Sequence, residues 1–275
     1  MCPKCQCELT TDLKCESCGN QYSQKHGVYN LISLDLSGEQ EFLYKREIPD
    51  DINLIFPDEE KKRYEKITQE YYSCINRETK EAEEKQDEFI TELLKSVSGM
   101  ICDLATGGGN MLQKILDSKK ENVTIVCTDI NEFELMRTRV RRNGDTDFIN
   151  YIATDGRYLS LKENSFDYIT SFGGFGNIPD GDRVAKEIYR ILKPNGKIII
   201  KGSYVEKKSK SFELAKSVGV EHGVIEEYIL QDLQDAGFRN IKSTVVAEAI
   251  WAENPYDLIP AAGDNQKFCI IEAEK

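Results

Sequence analysis

Apolar runs of strand length alternate with helical periodicity along most of this chain. Met100-Ile101-Cys102-Asp103-Leu104 is a short apolar run around an acid; Gly107-Gly108-Gly109 follows, then Met111, Leu112, Ile115 and Leu116 at helical spacing. That succession predicts a buried strand, a tight loop and a helix start. Val123–Ile130 is a second buried strand that ends on an acid, Asp129. Residues 35–98 are strongly charged and mostly helical in pattern. Pro57-Asp58-Glu59-Glu60 predicts a helix start with acids in its first turn, and Tyr64, Ile67, Tyr71 and Ile75 follow at helical spacing. A second helix is expected from about Thr79 to Ser96, with Phe89, Ile90, Leu93 and Leu94 facing a sheet. Leu230, Leu233 and Ala236 predict a helix stopped by Gly237, and Asn240–Trp251 and Lys267–Ala273 predict two final strands with a loop between them.

The strand–glycine–helix unit brings in chemistry. Glycines let the backbone approach a ligand closely, and a helix N-terminus favours negative charge there. Asp129 lies 20 residues past Gly109, where an acid can hold the two hydroxyls of a ribose. The dinucleotide fingerprint needs a third small residue, which the run Gly-Gly-Gly-Asn-Met-Leu from Gly107 lacks, and no Gly-Lys-Ser/Thr of a P-loop is present. What does match is Asp103-x-Ala105-x-Gly107-x-Gly109, with alanine at the first glycine position. This resembles the D-x-G-x-G-x-G pattern of class I S-adenosylmethionine (SAM) dependent methyltransferases of the UbiE-like kind.

The resemblance continues to about residue 245. Asn150–Gly156 is similar to the family's third strand and its adenine-contacting acid, Leu161–Ser171 to the entry into its fourth strand, and Glu187–Ile200 to its helix, Lys-Pro-x-Gly turn and fifth strand. It implies an α/β, Rossmann-like fold: a seven-stranded, mostly parallel sheet with its last strand antiparallel and helices on both faces. It also implies roles. Asp103, Ala105, Gly107 and Gly109 form the cofactor loop, the backbone around Ala105 and Gly107 holding the methionine part. Asp129 takes the ribose hydroxyls and Ile130 packs on adenine. Asp155 accepts from the adenine amino group, Gly156 leaves room, and Ser171 and Phe172 sit where donor and acceptor meet.

Cys2-x-x-Cys5 and Cys15-x-x-Cys18 form two knuckles that can close a tetrahedral thiolate site around zinc. A segment of this size cannot bury a useful core, so a metal would supply much of its folding energy. Cys7 and His26 are spare candidates. Asn20–Ile32 is similar to the end of the zinc ribbons fused to bacterial 23S rRNA guanine-N1 methyltransferases and to Trm112-like fusions. The expected organisation is a ribbon at 1–34, a helical connecting or lid region at 35–98 and a SAM-binding domain at 99–275.

Bulk properties refine the picture. No apolar run approaches 18 residues, so no transmembrane helix is expected, and the start Met-Cys-Pro-Lys-Cys is not a signal peptide. The expected location is cytoplasmic, where nine cysteines point to metal ligands or buried thiols. The net charge of −12 argues against a generic nucleic-acid binder. The favoured acceptor is therefore a small molecule. Its rivals are an rRNA or tRNA base recognised through the ribbon, with Arg137, Arg139, Arg141, Arg142 and the 201–210 lysine loop as contacts, and a SAM-binding partner protein without catalysis. No side chain announces itself as a base. Tyr71 and Tyr72 as lid residues, Phe172 in the loop Phe172–Asn177, and His222 are the catalytic candidates.

Overall fold

The apolar runs become strands where both faces of a sheet must be covered. The computed structural model describes residues 1–38, 57–118, 122–142 and 147–275, so the start of the predicted connecting region, 39–56, lies outside the described residues. The strands are β1 (Ser23–Lys25), β2 (Val28–Asn30), β3 (Gly99–Leu104), β4 (Val123–Asp129), β5 (Ile149–Ala153), β6 (Phe166–Phe172), β7 (Leu192–Tyr204), β8 (Arg239–Ile250) and β9 (Asn265–Glu274). The helices are α1 (Leu34–Ser37), α2 (Pro57–Cys74), α3 (Arg77–Leu94), α4 (Asn110–Asp117), α5 (Glu132–Arg141), α6 (Gly181–Ile191), α7 (Lys210–Ser217) and α8 (Glu226–Ala236).

One sheet runs in the order β1-β2-β5-β4-β3-β6-β7-β9-β8. Strands β3 to β7 pair in parallel, and β9 lies antiparallel to both β7 and β8. The expected seven strands with an antiparallel last one are present. Among the described residues the sheet nevertheless has nine, because β1 and β2 of the N-terminal segment extend it. Strand β2 pairs in parallel with β5, Val28 opposite Tyr151, and Val28 is fully buried. The physical reason is the edge of β5: an open row of backbone donors and acceptors beside apolar side chains is a liability, and β2 covers it.

Helices cover both faces. Ile90 and Leu94 of α3, Met111, Leu112 and Ile115 of α4, and Phe133, Leu135 and Met136 of α5 share one core with β3 and β4. Val184, Ala185, Ile188 and Ile191 of α6 and Ile229 and Leu233 of α8 build the other against β6 and β7. Helix α3 begins two residues before the expected Thr79, because Asn76 caps it by accepting the Thr79 N–H at 2.8 Å. Gly237 ends α8 in the left-handed conformation. Strand β3 has β4 on one side and β6 on the other, and chain crossovers leave in opposite directions there. A crevice opens at the carboxyl ends of the strands at such a switch point.

Candidate functional site

Two adjoining cavities occupy that crevice. The first, about 430 Å³, is lined by the Ala105–Gly108 loop, Asp129, Ile130, Asp155, Gly156, Gly174 and Ile178 among others. Strand β4 delivers Asp129 to its wall. The Asp129 carboxylate accepts the Gly107 N–H and the Asn131 N–H, each at 2.8 Å. These bonds fix the carboxylate and lower its pKa, but desolvation outweighs them and raises it overall. Ala105 takes φ 53°, the left-handed region where a glycine would be unstrained. Its methyl group has a matching gap. A Cβ on Gly174 would overlap the Ala105 side chain, so the Phe172–Asn177 loop supplies the space that the missing first glycine would have left.

Six of the nine expected cofactor positions line this cavity: Ala105, Gly107, Asp129, Ile130, Asp155 and Gly156. The other three stand behind its wall. Asp103 is fully buried. Its carboxylate accepts from the Thr170 hydroxyl at 3.0 Å, its other carboxylate oxygen has no partner among the described residues, and burial pushes the group up to about 7. Its main-chain oxygen accepts from the Thr106 and Thr128 hydroxyls. Ser171 is buried and donates to the Leu104 carbonyl at 3.0 Å. Gly109 precedes α4 at φ 76°, and a Cβ there would come within 2.7 Å of the Thr138 methyl. These three shape the loop from below.

The sequence did not reveal what holds the loop from above. Helix α5 grips three successive carbonyls: Thr138 Oγ1 donates to Gly107 at 2.7 Å, Arg141 Nη2 to Gly108 at 2.9 Å and Arg142 Nη2 to Gly109 at 3.4 Å. Arg141 also pairs with the buried Glu60 of α2 at 3.0 Å and stacks over the Tyr64 ring. Burial raises the Glu60 pKa, but Arg63, Arg137 and Arg141 outweigh that and hold it below its ordinary range. Arg139 donates to the His26 carbonyl, tying α5 to the N-terminal segment. The arginine row therefore contacts its own chain. Arg157 is another missed residue. It makes a two-pronged pair with the buried Asp155, also bonds Asp180 and the Ser37 carbonyl, and so fixes the acid expected near adenine.

The second cavity, about 650 Å³, opens from the first past Asn110, Phe172 and Gly173, which line both. Tyr71 and Tyr72 of α2 are in its wall, with Glu83 and Asp87 of α3, Lys114 of α4, Lys201 of β7 and Trp251. Their rings meet edge to face at 5.7 Å. Burial pushes the Tyr72 hydroxyl up to about 12 and Tyr71 higher still. Lys201 is 5% exposed, bonds Asp87 at 2.5 Å and sits 3.6 Å from the centre of the Phe172 ring. It belonged to the lysine loop weighed as an RNA contact; its place at the end of the apolar run Ile198–Ile200 was the available clue to its burial. Of the four catalytic candidates, Tyr71, Tyr72 and Phe172 come together here. His222 lines neither cavity. It pairs with Asp232 at 2.6 Å and stacks on Tyr228, so local packing accounts for it.

In the N-terminal segment the sulfurs of Cys2, Cys5, Cys15 and Cys18 all lie within 4.8 Å of one another. A tetrahedral zinc with ~2.3 Å bonds needs sulfurs ~3.8 Å apart, and Cys2 and Cys18 are 3.8 Å apart. Cys7 stands 3.4 Å from Cys15, outside the four. His26 lies in the β1–β2 turn and is not part of the group.

The sheet order, the crevice and the glycine loop define a class I methyltransferase. The profile of the ubiE/COQ5 methyltransferase family matches residues 61–222, and the chain belongs to that family. It is 33% identical over 120 residues to the ubiquinone/menaquinone biosynthesis C-methyltransferase UbiE of Rickettsia prowazekii, covering 42% of this chain and 48% of that protein. The corresponding Rickettsia akari protein is 30% identical over 148 residues, with 49% and 59% covered. The chain thus spans about half the length of these relatives. Among solved structures, phosphoethanolamine N-methyltransferase 2 of Haemonchus contortus shares the fold with a TM-score of 0.54, 21% identity and coverage of 69% of this chain and 52% of that one. The [4+2]-cyclase SpnF shares it with a TM-score of 0.52, 16% identity and coverage of 69% and 80%. One fold therefore carries different reactions, and the site has to decide between them.

Proposed function

We propose that the chain transfers a methyl group from SAM, held in the first cavity, to a small molecule held in the second. The observation that carries this is the Asp129 carboxylate, fixed by the glycine loop at the end of β4 and exposed to a cavity floored by that loop. In this reading Asp129 takes the ribose hydroxyls and Ile130 packs on adenine. Asp155, oriented by Arg157, lies at the adenine edge beside Gly156. The backbone at Ala105 and Gly107 meets the methionine part. Asp103, Gly109 and Ser171 act by shaping the loop and strand ends.

SAM supplies an activated methyl whose sulfur leaves without protonation. The protein's task is then alignment and the exclusion of water, which can be worth ~7–11 kcal/mol. Phe172 and Gly173, shared by the two cavities, mark where donor and acceptor would meet. The UbiE relatives are C-methyltransferases of ubiquinone and menaquinone biosynthesis by name, and a small-molecule acceptor agrees with that. The internal contacts of Arg137, Arg139, Arg141 and Arg142 also favour it over RNA.

The four N-terminal thiols fit zinc, with Cys2, Cys5, Cys15 and Cys18 as ligands and the metal fastening residues 1–34 as a ribbon. We read 35–98 as the region that closes over the cavities and 99–275 as the SAM-binding unit. Calorimetry with SAM and S-adenosylhomocysteine on the full chain tests the central claim. Saturable binding of both at one site per chain is expected, and its absence would overturn this function.

A further inference from the structure

The second cavity is the part of the molecule whose chemistry the methyltransferase reading leaves unexplained. Four acids line it (Glu83, Asp87, Asp117 and Asp257) against two lysines, Lys114 and Lys201. Both lysines bond the same acid, Asp87, at 2.7 and 2.5 Å. Glu83 and Asp257 are left with no cation bonded to them among the described residues, although Lys201 acts on Glu83 at longer range. Each adjoins a tyrosine instead, Glu83 beside Tyr72 and Asp257 beside Tyr71. One carboxylate oxygen of Glu83, Oε2, is buried without a hydrogen-bond partner among the described residues. Burying a carboxylate without a partner is costly, and burial raises the pKa of both groups. The rest of the wall mixes polar and aliphatic residues with further rings, among them Tyr64, Trp251 and Tyr256. Ring faces attract cations, most strongly where water is excluded.

Resting on the methyl-transfer reading above, we propose that the acceptor is an amine that enters the second cavity as its ammonium ion, with Glu83 as the base that takes its proton. A cation there gives an opposite charge to Glu83 and Asp257, which the described residues bond only through neutral groups, Tyr72 on Glu83 and Tyr71 and Asn254 on Asp257, and it lies against ring faces. A neutral phenol or quinol would do neither. In the reaction the ammonium gives one proton to the Glu83 carboxylate. The freed nitrogen lone pair forms the new C–N bond to the methyl carbon as the C–S bond breaks, and that bond's electron pair stays on sulfur. The products are the methylated ammonium ion and a neutral thioether, and Glu83 releases its proton to water when the cavity empties.

Trp251 makes a direct test available. It is the single tryptophan of the chain, it lines this cavity and it is 5% exposed. Its fluorescence is titrated on the full chain, with and without S-adenosylhomocysteine, using choline and its uncharged isostere 3,3-dimethylbutan-1-ol. Choline is expected to bind at least tenfold more tightly than the alcohol. Glu83→Gln should remove most of that preference and leave the alcohol's affinity within twofold. With tritiated SAM, label should enter benzylamine and not hydroquinone. Equal or tighter binding of the alcohol, an unchanged preference in Glu83→Gln, or label in hydroquinone would each overturn the proposal. If Glu83→Gln does not fold, Asp257→Asn carries the same expectation. Failure of SAM to bind by calorimetry is a separate result. It would overturn the methyl-transfer reading, whereas the choline preference without cofactor reports on the cavity alone.

Discussion

Asp129 and Asp103 are two acids at the ends of adjacent strands with opposite duties. Asp129 faces the cavity and keeps two backbone N–H bonds. Losing one charge-assisted hydrogen bond to a ligand costs ~1.5–3 kcal/mol. Asp129→Ala is therefore expected to weaken SAM binding at least tenfold, and equal affinity by calorimetry would remove Asp129 from the site. Asp103 is sealed behind the loop, with its pKa raised from 3.8 to about 7 by burial. Below pH 3.8 both the folded and the unfolded chain hold this proton. Between there and about 7 only the folded chain does, so its contribution to stability declines as pH rises across that window and is flat above it. The contribution is at most ~4 kcal/mol, at about 1.4 kcal/mol per pH unit. Denaturant melts of Asp103→Asn should show a shallower fall in stability across the window than the parent. Parallel curves would refute this. Of these two roles, the pattern of apolar runs ending at acids gave the positions but not the duties. Exposure separates them, and exposure is a property of the packed sheet.

At the scale of elements, α5 is the piece most misread by its sequence. Four arginines in the stretch 137–142 stand in the sequence as the contacts of an RNA acceptor. In the fold Thr138, Arg141 and Arg142 clamp the carbonyls of the glycine loop, and Glu60 of α2 anchors Arg141 from the far side. Helical spacing tells which residues share a face, but not what lies opposite. The partner here is backbone, which carries no sequence signal. Arg141 does not line the first cavity, so Arg141→Leu tests the clamp. It leaves Glu60 with one fewer buried partner and one loop carbonyl unbonded, and costs ~1–3 kcal/mol of stability. SAM affinity should fall several-fold through loss of loop order. Thermal melts and calorimetry measure the two effects, and an unaltered melting curve with unaltered affinity would show that the clamp is idle.

For the whole molecule, the N-terminal segment and the sheet are one structure. Strand β2 adds to β5, the Leu31 N–H donates to the Ala153 carbonyl at 2.9 Å, and Ser160 donates to the Leu31 carbonyl. The cysteine cluster packs with Leu31 against Tyr29 of β2 and Ile152 of β5, beside the strand edge that β2 covers. One zinc per chain is expected in reduced, chelator-free protein, as read by metal analysis. Cys15→Ser with Cys18→Ser should lose it and lower the melting temperature of the entire chain. Full metal content in that double variant would remove these ligands. An unchanged melt would separate the segment from the sheet.

The sequence alone determined the order of the seven strands β3 to β9, the long helices α2, α3 and α8, the acids at the ends of β3, β4 and β5, and the four thiols. Each of these is written in local spacing: apolar runs at strand length, glycines between strand and helix, cysteines three apart. Tertiary structure alone decided that Ala105 is tolerated because Gly174 lies opposite, that Arg157 fixes Asp155, and that His222 stays outside while Lys201 is buried against Phe172. It also decided that β2 completes the sheet and that Glu83 and Asp257 meet in one cavity whose two lysines both bond Asp87 instead. Apart from the Arg157–Asp155 pair, whose residues are two apart and whose burial is the tertiary part, these are contacts between residues far apart in the chain. Such contacts depend on burial and long-range complementarity, and a residue's neighbours in sequence carry no record of either.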